Sequence, residues 1–566
     1  MRNCIFLVTL HLNLLKGSIL KTIIRIFILL SLTLHLSAQT PKHEVRAVWL
    51  TTIGGIDWPR TSSAWQQKQE LTDILDKLKQ ANINTVLFQT RIRATTVFPT
   101  TLEPWDVCMT GKAGMSPGYD PLQFCIEECH KRGMECHAWI VTIPVGKWNS
   151  QGCKLLRQRF PNLIVKIGEE GYMNPEKGQT GDYLAQFCQE VTRRYDVDGI
   201  HLDYIRYPET WKLKISRTQA RAHITSIVQR IHRVVKARKP WVKMSCSPIG
   251  KYDDLRHYSS RGWNAYTKGC QDAQEWLRRG WMDAIFPMMY FKGNQFYPFA
   301  LDWQENAAGR MVAAGLGVYM LSPREGNWDL EDIEREMSVS RQAGLGQAFF
   351  RSKFLTDNTK GIYDFTCRFN EYPALVPAME WSETTAPSAP SYLRIKRGAT
   401  ADELEWFGAK DLSDAPYLLY HLYATTDEEV DITNAQQLVA TRLMDNRIRV
   451  PHPENMVLNY AVTAANRYGQ ESKTAAYSES SRQRQVISKM PFLKNDGKHL
   501  RLPERPVVLD ANYVTIETLQ GAILSTVYWE PGRSIGIRTL PEGIYLLKSM
   551  GKKRVSHRLA YFVIRR

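Results

Sequence analysis

The stretch that decides the fold is Asp198-Gly199-Ile200-His201-Leu202-Asp203-Tyr204-Ile205-Arg206-Tyr207-Pro208. Side chains alternate between the two faces of a β-strand, so Ile200 and Leu202 share one face while His201 and Asp203 share the other. The apolar face suits contact with covering helices, and the polar face then points into a barrel. The pattern predicts a barrel strand that carries Asp203 near its C-terminal end.

Seven further β-type runs flank this one and alternate with helical stretches. The eight runs in chain order are Val45–Thr51, Thr85–Thr90, Glu135–Val141, Gly199–Ile205, Val242–Ser247, Ala284–Tyr290, Leu316–Leu321 and Gln347–Phe350. The amphipathic stretches between them include Gln66–Gln80, Pro121–Arg132, Thr180–Tyr195, Gln219–Arg238 and Leu330–Ala343. Together they predict an α/β fold: a (β/α)8 TIM-type barrel over residues 41–375, with its active site at the C-terminal ends of the strands.

Composition changes after the barrel, and two small all-β sandwich domains are expected there. Residues 376–390 form a linker that ends in the Pro/Ser/Thr-rich stretch Glu383–Pro390. Residues 391–485 predict a fibronectin type III-like or immunoglobulin-like sandwich, from the alternating stretches Leu404–Trp406, Tyr417–Tyr423 and Tyr460–Ala464. Residues 495–566 predict a second sandwich, from Tyr513–Thr518, Ser534–Arg538, Gly543–Leu547 and Ala560–Ile564.

The N-terminus predicts a secretory signal peptide over residues 1–38. The apolar run Ile23–Leu36 has Lys21 and Arg25 before its most apolar part, and Leu36-Ser37-Ala38 resembles a cleavage site. No later segment has 18 apolar residues in a row, so we expect no membrane span once the signal is removed. The expected location is the periplasm, the cell surface or the outside of the cell.

Charge and composition restrict the class of partner. Apolar residues make up 43 % of the 566 residues and charged residues 23 %, which excludes disorder as a description of the whole chain. The net charge is +17, and removing the four basic residues of the signal leaves +13, so the protein favours anionic partners. No long Lys/Arg run and no nucleic-acid-binding signature occur, so we expect no nucleic-acid partner.

Nine cysteines follow the signal peptide, all in the predicted barrel. They form no Cys-x-x-Cys pair and no Cys/His set with zinc spacing, so we expect no metal and no cofactor. Most lie in apolar patterns and are interpreted as small buried hydrophobic residues, with one or two disulfides left open.

The chemistry expected of the barrel centres on Asp203. A carboxyl in an apolar, aromatic-rich surround can have a raised pKa and act as a general acid; the alternative is a structural pair with Arg206 or His201. Glycoside cleavage normally needs a second carboxyl group, or a substrate acetamide as nucleophile. Glu325, after the seventh run, is the best placed second carboxyl, and Asp57 and Asp302 are the alternatives.

Sugar contacts are expected from flat side chains and planar donors near the strand ends. An arginine fork also matches the carboxylate of a lactyl ether or a uronic acid. For each candidate, core packing or a structural ion pair is the alternative. The candidates are Gln89, Arg91, His137, Trp139, His201, Arg206, Tyr207, Tyr290, Trp303 and Arg351, with Trp58 as a further loop aromatic.

The barrel region resembles the glycosyl hydrolase-like 10 family. The matching stretches include Glu44–Leu50, Asp57–Pro59, Phe88–Arg91, Ser116–Leu122, His130–Trp139, Tyr195–Pro208, Arg261–Tyr266, Gln271–Ala273, Phe286–Tyr290 and Gly346–Arg351. The resemblance implies a barrel glycosidase of bacterial glycans, with Asp203 as the acid; some relatives act on peptidoglycan strands stripped of stem peptides. Many relatives carry a second acidic residue where this chain has Tyr204, and a Gly-Asp pair after the second strand, where this chain reads Arg93-Ala94-Thr95-Thr96.

The C-terminal residues resemble a type IX secretion sorting domain, through Tyr513–Ala522, Leu540–Leu547 and Tyr561–Ile564. That resemblance implies a contact with export machinery; the alternative is a carbohydrate-binding or spacer sandwich. The sequence as a whole predicts an exported glycoside hydrolase that cleaves a bacterial polysaccharide or peptidoglycan glycan. The rival hypothesis is a non-catalytic glycan-binding protein of the cell surface on a barrel scaffold.

Overall fold

The computed structural model describes residues 40–454, 456–475, 493–502, 511–518, 522–551 and 556–564. The predicted signal peptide lies outside the described residues. So do residues 476–485 of the first predicted sandwich and residues 519–521 of the segment that resembles a sorting domain. Within them, no helix combines the length and the apolar character needed to span a bilayer.

A closed barrel of parallel strands forms the first part of the chain, as predicted. Its strand order is β1-β11-β10-β9-β8-β7-β3-β2, whereas β4, β6 and β5 form a small antiparallel sheet in the connection between β3 and β7. The strands are β1 (Arg46–Leu50), β2 (Thr85–Arg91), β3 (Glu135–Val141), β4 (Pro144–Lys147), β5 (Ile164–Ile167), β6 (Glu170–Met173), β7 (Gly199–Asp203), β8 (Lys243–Cys246), β9 (Ala284–Ile285), β10 (Met311–Leu316) and β11 (Gly346–Phe349).

Helices alternate with the barrel strands, and the predicted helical stretches are confirmed to within two residues at each end. Their apolar stripes pack on the barrel because residues three and four apart share one helix face. The α-helices of the described residues are α1 (Ala64–Gln80), α2 (Pro121–Lys131), α3 (Gln151–Arg159), α4 (Gly178–Arg194), α5 (Arg217–Arg238), α6 (Ala273–Arg278), α7 (Tyr297–Glu305), α8 (Leu330–Gln342), α9 (Ser352–Thr356) and α10 (Ile362–Phe369).

The sixth and seventh strands differ from the predicted runs. β9 ends at Ile285 because Pro287 has no N–H to donate to a ladder, and pairing resumes only as isolated bridges at Met288. β10 lies earlier than the predicted run Leu316–Leu321, and Val318–Leu321 forms a 3-10 helix beyond its end. Tyr290 and Tyr319 therefore lie on the C-terminal rim of the barrel, past the last paired residues.

Small antiparallel sheets follow the barrel, as predicted. Two three-stranded sheets, β12-β13-β16 and β15-β14-β17, share one apolar core, and a four-stranded sheet, β20-β19-β22-β23, lies near the C-terminus with the pair β18-β21. The strands are β12 (Tyr392–Lys396), β13 (Ala401–Phe407), β14 (Leu419–Thr425), β15 (Leu438–Leu443), β16 (Arg447–Pro451), β17 (Asn459–Ala465), β18 (His499–Arg501), β19 (Ala511–Thr518), β20 (Ile523–Tyr528), β21 (Ser534–Gly536), β22 (Gly543–Gly551) and β23 (Ser556–Ile564).

The first of these sheet pairs is fastened to the N-terminal end of the barrel by buried charges. Asp198, just before β7, accepts hydrogen bonds from Arg442 and Arg467 and lies 2.8 Å from His130 Nε2. Arg442 also donates to Glu135 Oε1 at 3.1 Å. Residues 391–475 are therefore anchored to the barrel over a defined surface rather than held by the linker alone.

Candidate functional site

Asp203 is the last residue of β7, and its carboxyl lies inside the C-terminal mouth of the barrel. The residue is only 6 % exposed. Its backbone carbonyl accepts hydrogen bonds from the N–H and the hydroxyl of Thr142, at 2.9 and 2.8 Å, which hold the strand end against β3. The strand alternation predicted from the sequence is therefore confirmed at this position.

Three donors orient the Asp203 carboxyl. Oδ1 accepts from Ser247 Oγ at 2.8 Å and from the backbone N–H of Tyr204 at 2.8 Å, while Oδ2 accepts from Trp139 Nε1 at 3.1 Å. Each carboxyl oxygen has two lone pairs, so Oδ1 is fully used and Oδ2 keeps one lone pair that can carry a proton. An acidic proton on Asp203 therefore belongs on Oδ2.

Burial raises the pKa of Asp203 above its ordinary value. The hydrogen bonds from Ser247, Tyr204 and Trp139 and the positive charge of Arg206 oppose that rise. No hydrogen bond or ion pair joins Asp203 to a guanidinium within the described chain. The group thus meets the two structural requirements of a general acid, an inward position and a raised pKa.

The chain is in the left-handed region directly after this carboxyl. Tyr204 has φ +51°, a conformation that is uncommon for an aromatic residue and costs free energy. It brings the Tyr204 N–H onto Asp203 Oδ1, and it lets the Tyr204 ring lie 4.6 Å from the Arg206 guanidinium. Such strain next to a buried acid is typical of functional sites.

An aromatic cluster that includes the buried Tyr290 hydroxyl lies beside Asp203. The Tyr290 ring stacks on Phe350 at 5.3 Å and meets Tyr319 edge-on at 5.5 Å. The Tyr290 hydroxyl is buried and has no hydrogen-bond partner among the described residues, and burial together with the charge of Asp203 raises its pKa. A buried hydroxyl with no protein partner is available to a bound ligand.

Arg206 and Tyr207, both predicted sugar contacts, are buried just after Asp203. Arg206 Nη1 lies 2.6 Å from Glu209 Oε1, and its Nε makes no hydrogen bond. The Tyr207 hydroxyl also has no partner, and its ring packs edge-on against Trp211 at 5.5 Å. The charge of Arg206 opposes the rise of the Asp203 pKa. Tyr207 instead contacts Trp211 in the loop that precedes α5.

Arg91 and Gln89 hold the barrel rim together, which corrects their expected role as sugar contacts. Arg91 is fully buried; it makes a two-pronged ion pair with Glu103 and also donates to the carbonyls of residues 141 and 142. Gln89 Oε1 accepts from the N–H groups of Thr52 and Ile53, at 2.9 and 2.8 Å. The arginine fork is satisfied by the protein itself.

His137 and His201, both predicted sugar contacts, lie in the barrel interior, below the mouth where a ligand would bind. His137 Nε2 lies 3.0 Å from Glu135 Oε2, and its ring fills the space beside Gly199, where a Cβ would lie 2.5 Å from Nδ1. His201 Nε2 accepts from Trp49 Nε1 at 3.2 Å, so Nδ1 carries the proton and donates to Ser245. Burial lowers the pKa of His201 well below its usual range, so this imidazole is neutral.

Two tryptophans expected on loops are core residues, so their predicted sugar contacts are wrong. Trp303 lies on α7, is fully buried and donates to the carbonyl of Gly250 at 2.8 Å. Trp58 is also fully buried and donates to the carbonyl of Gln67 at 2.7 Å. Their indole N–H groups are already paired, and their ring faces are covered by other side chains.

The remaining acidic candidates differ in environment. Asp57 is buried and ion-paired with Arg351, which occupies both side chains and removes Arg351 from the free sugar contacts. Asp302 lies on α7, accepts from Gln274 at 3.0 Å, and has its pKa raised by burial to about 6. Glu325 is exposed in the rim loop after β10, and burial, together with the charge of Glu325, raises the pKa of Tyr319. Glu325 is therefore close to the aromatic cluster that borders Asp203, whereas Asp57 is held by Arg351, the residue after Phe350.

Sequence reasoning missed Ser247, which bonds Asp203 directly. The signal was present, because Ser247 closes the fifth predicted β-run, and strand ends in this fold meet at the active-site mouth. The backbone contribution of Tyr204 had no sequence signal, since a left-handed tyrosine is set by the surrounding structure.

The sequence of this chain is similar to those of known glycosyl hydrolases. The family model described as "Glycosyl hydrolase-like 10" matches residues 44–219 and 211–314. The chain is 30 % identical to the glycosyl hydrolase DigH of Escherichia coli (strain K12) over 295 residues, which cover 45 % of this chain and 67 % of that protein. The chain belongs to the glycosyl hydrolase-like 10 family. Membership supports a glycan-processing role.

Two further similarities are more extended or more distant. The chain is 28 % identical to the glycosyl hydrolase YngK of Bacillus subtilis (strain 168) over 482 residues, which cover 78 % of this chain and 94 % of that protein. The solved glycoside hydrolase domain of PgaB (BpsB) from Bordetella bronchiseptica is 11 % identical, with a TM-score of 0.40, over 58 % of this chain and 98 % of that chain.

Proposed function

We propose that the protein is an exported glycoside hydrolase that cleaves a bacterial glycan, with Asp203 as the general acid. The observation that carries the proposal is the buried Asp203 carboxyl, whose Oδ2 keeps one free lone pair at the barrel mouth. A proton on Oδ2 is then available to the departing glycosidic oxygen, and the raised pKa keeps part of the population protonated.

The Tyr290 hydroxyl is the proposed second contact with the sugar. It is buried, has no protein partner and experiences the charge of Asp203, so a substrate oxygen or acetamide there would satisfy it. Tyr319 connects this cluster to the loop of Glu325, which we keep as the proposed second carboxyl. If the substrate supplies an acetamide nucleophile, no second protein carboxyl is needed.

Peptidoglycan strands stripped of stem peptides are the proposed substrate. Their sugars carry N-acetyl groups and lactyl carboxylates, and the positive charge of Arg206 beside Asp203 is compatible with such an anionic chain. The net positive charge of the chain favours the same class of ligand.

The test compares the wild type with Asp203→Asn on stripped peptidoglycan strands. New reducing ends report cleavage, and sedimentation with the insoluble glycan reports binding. We expect Asp203→Asn to bind and to remain folded but to release no product. Unchanged product release would refute the acid assignment, and binding without products by the wild type would favour the rival glycan-binding protein.

Glu325→Gln separates the two sources of the nucleophile. If Glu325 acts directly, this variant loses turnover on every substrate. If the acetamide acts, the variant keeps turnover on N-acetylated strands, and strands chemically de-N-acetylated are not cleaved by the wild type.

Export is the remaining part of the proposal. The predicted signal peptide supports it, as does the resemblance of the C-terminal residues to a sorting domain. Mass spectrometry of the mature N-terminus would test cleavage after Ala38. Cell fractionation of a chain truncated after residue 494 would test the sorting role, because a sorted protein then stays in the periplasm.

A further inference from the structure

Three cysteine side chains meet in the wall of the barrel, between a strand and the helix that covers it. Cys125 and Cys129 lie one turn apart on α2, and Cys136 lies on β3. All three are fully buried, and their sulfur atoms lie within 4.8 Å of one another, with 3.9 Å between the Sγ atoms of Cys125 and Cys136. The sequence spacing gave no sign of this cluster, because the loop between α2 and β3 brings the residues together.

The separation of the Cys125 and Cys136 sulfur atoms fits a bound soft metal ion. Metal–sulfur bonds of about 2.3 Å place sulfurs about 4.0 Å apart in a planar three-sulfur site and about 3.8 Å apart in a tetrahedral site. The 3.9 Å separation lies between these values. Thiolates select soft ions, and among the described residues no fourth cysteine, histidine or carboxylate joins the trio. Zinc prefers four ligands, whereas Cu(I) accepts three thiolates.

We propose that Cys125, Cys129 and Cys136 form a structural site for one Cu(I) ion. Binding makes three metal–sulfur bonds and releases the protons that the thiols still carry, and no electron transfer is involved. The ion would join α2 to β3, so occupancy adds to the stability of the barrel wall and leaves Asp203, at the other end of the barrel, unaffected. This inference is independent of the proposed function.

The test uses the full chain, purified without oxygen from cells grown with and without added copper. Metal content is measured by mass spectrometry, and metal-free protein is titrated with Cu(I) against a chromophoric chelator, and separately with Zn(II). Cys129→Ser is compared with Cys188→Ser, which changes a fully buried cysteine on α4 outside the trio. We expect one Cu(I) per chain in the wild type and in Cys188→Ser, and three sulfur ligands by X-ray absorption.

Cys129→Ser should bind Cu(I) at least about 10-fold more weakly, since losing a ligand costs more than losing a group that orients one. If this variant does not fold, Cys125→Ala and Cys136→Ala replace it in the comparison. Zinc in place of copper, unchanged copper binding by the variants, a metal-free wild type in every condition, or a disulfide within the trio would each overturn the proposal.

Discussion

Replacing Ser247 by alanine tests the electrostatic description of the acid. Ser247 Oγ donates to Asp203 Oδ1 at 2.8 Å, and it is the strongest influence that opposes the effect of burial on the Asp203 pKa. A hydrogen bond to an ionised group contributes about 1.5–3 kcal/mol, against about 0.5–1.5 kcal/mol between neutral groups. The midpoints of these ranges differ by about 1.3 kcal/mol in favour of the carboxylate, which corresponds to about one pKa unit.

The Asp203 pKa should therefore rise by about one unit in Ser247→Ala. The acid must be protonated to act, so the alkaline limb of the pH profile of kcat/KM should move to higher pH by the same amount. One unit above the wild-type limb, the variant keeps about half of its plateau activity while the wild type keeps about a tenth. The assay is product formation from stripped peptidoglycan strands over a range of pH.

Ser245→Ala is the matched control, because Ser245 is buried like Ser247 and lies two residues before it, on β8, but bonds His201 instead of Asp203. The Ser245→Ala variant should be less stable than the wild type, but the alkaline limb of its kcat/KM profile should stay at the wild-type pH. An alkaline limb in Ser247→Ala that stays in place or moves to lower pH would show that the acid in question is not Asp203, or that its hydrogen bonds do not set its pKa.

Three further outcomes follow from the contacts described. Tyr290→Phe should fold normally and lower kcat/KM about 10- to 100-fold, because its hydroxyl bonds no group in the part of the chain that the structure describes; equal kcat/KM would exclude a substrate contact. Glu103→Gln should reduce the free energy of unfolding by about 3–5 kcal/mol in denaturant titrations, since it leaves the Arg91 guanidinium buried without its partner; a loss below about 1 kcal/mol would contradict that role. Arg467→Ala should reduce the free energy of unfolding by about 1–3 kcal/mol at neutral pH, because it removes a partner of the buried Asp198 carboxylate, and this cost should fall only as the pH drops through the Asp198 pKa, which lies well below its ordinary value; a cost that grows as the pH falls would contradict the ion pair.

The barrel could be predicted from the sequence because its signals are local. Eight β-type runs alternate with stretches of helical period, and the five helical stretches and most of the runs lie close to where the structure has a helix or a strand. The prediction failed where small residues and proline replace the usual strand residues: Pro287 interrupts β9, and the strand Met311–Leu316 has the sequence MVAAGL. Val318 and Tyr319 were predicted to lie in a strand because β-branched and aromatic residues are common in strands, but they form a 3-10 helix at the rim.

Asp203 and its inward direction could also be predicted, but most of its predicted companions could not. A residue's place at the end of a predicted strand indicates that its side chain lies near the barrel mouth. It does not indicate whether another residue already forms a hydrogen bond or an ion pair with that side chain. Arg91 is engaged by Glu103, and Asp57 by Arg351, 294 residues away in the chain. Trp303 is hidden because a helix, not a loop, carries it.

Asp198 and Asp203, at the two ends of one strand segment, show how partners from distant parts of the chain determine the role of a buried carboxyl group. Asp198 and Asp203 are the same residue type and both are almost fully buried. Arg442 and Arg467, 244 and 269 residues later in the chain, meet Asp198 and hold its pKa well below the usual range, although burial alone would raise it. Asp203 receives only neutral hydrogen-bond donors, so burial prevails and its pKa rises. The ionised form of Asp198 therefore stabilises the fold. The ionised form of Asp203 is destabilised by burial, and a carboxyl group in such surroundings keeps a proton that it can donate.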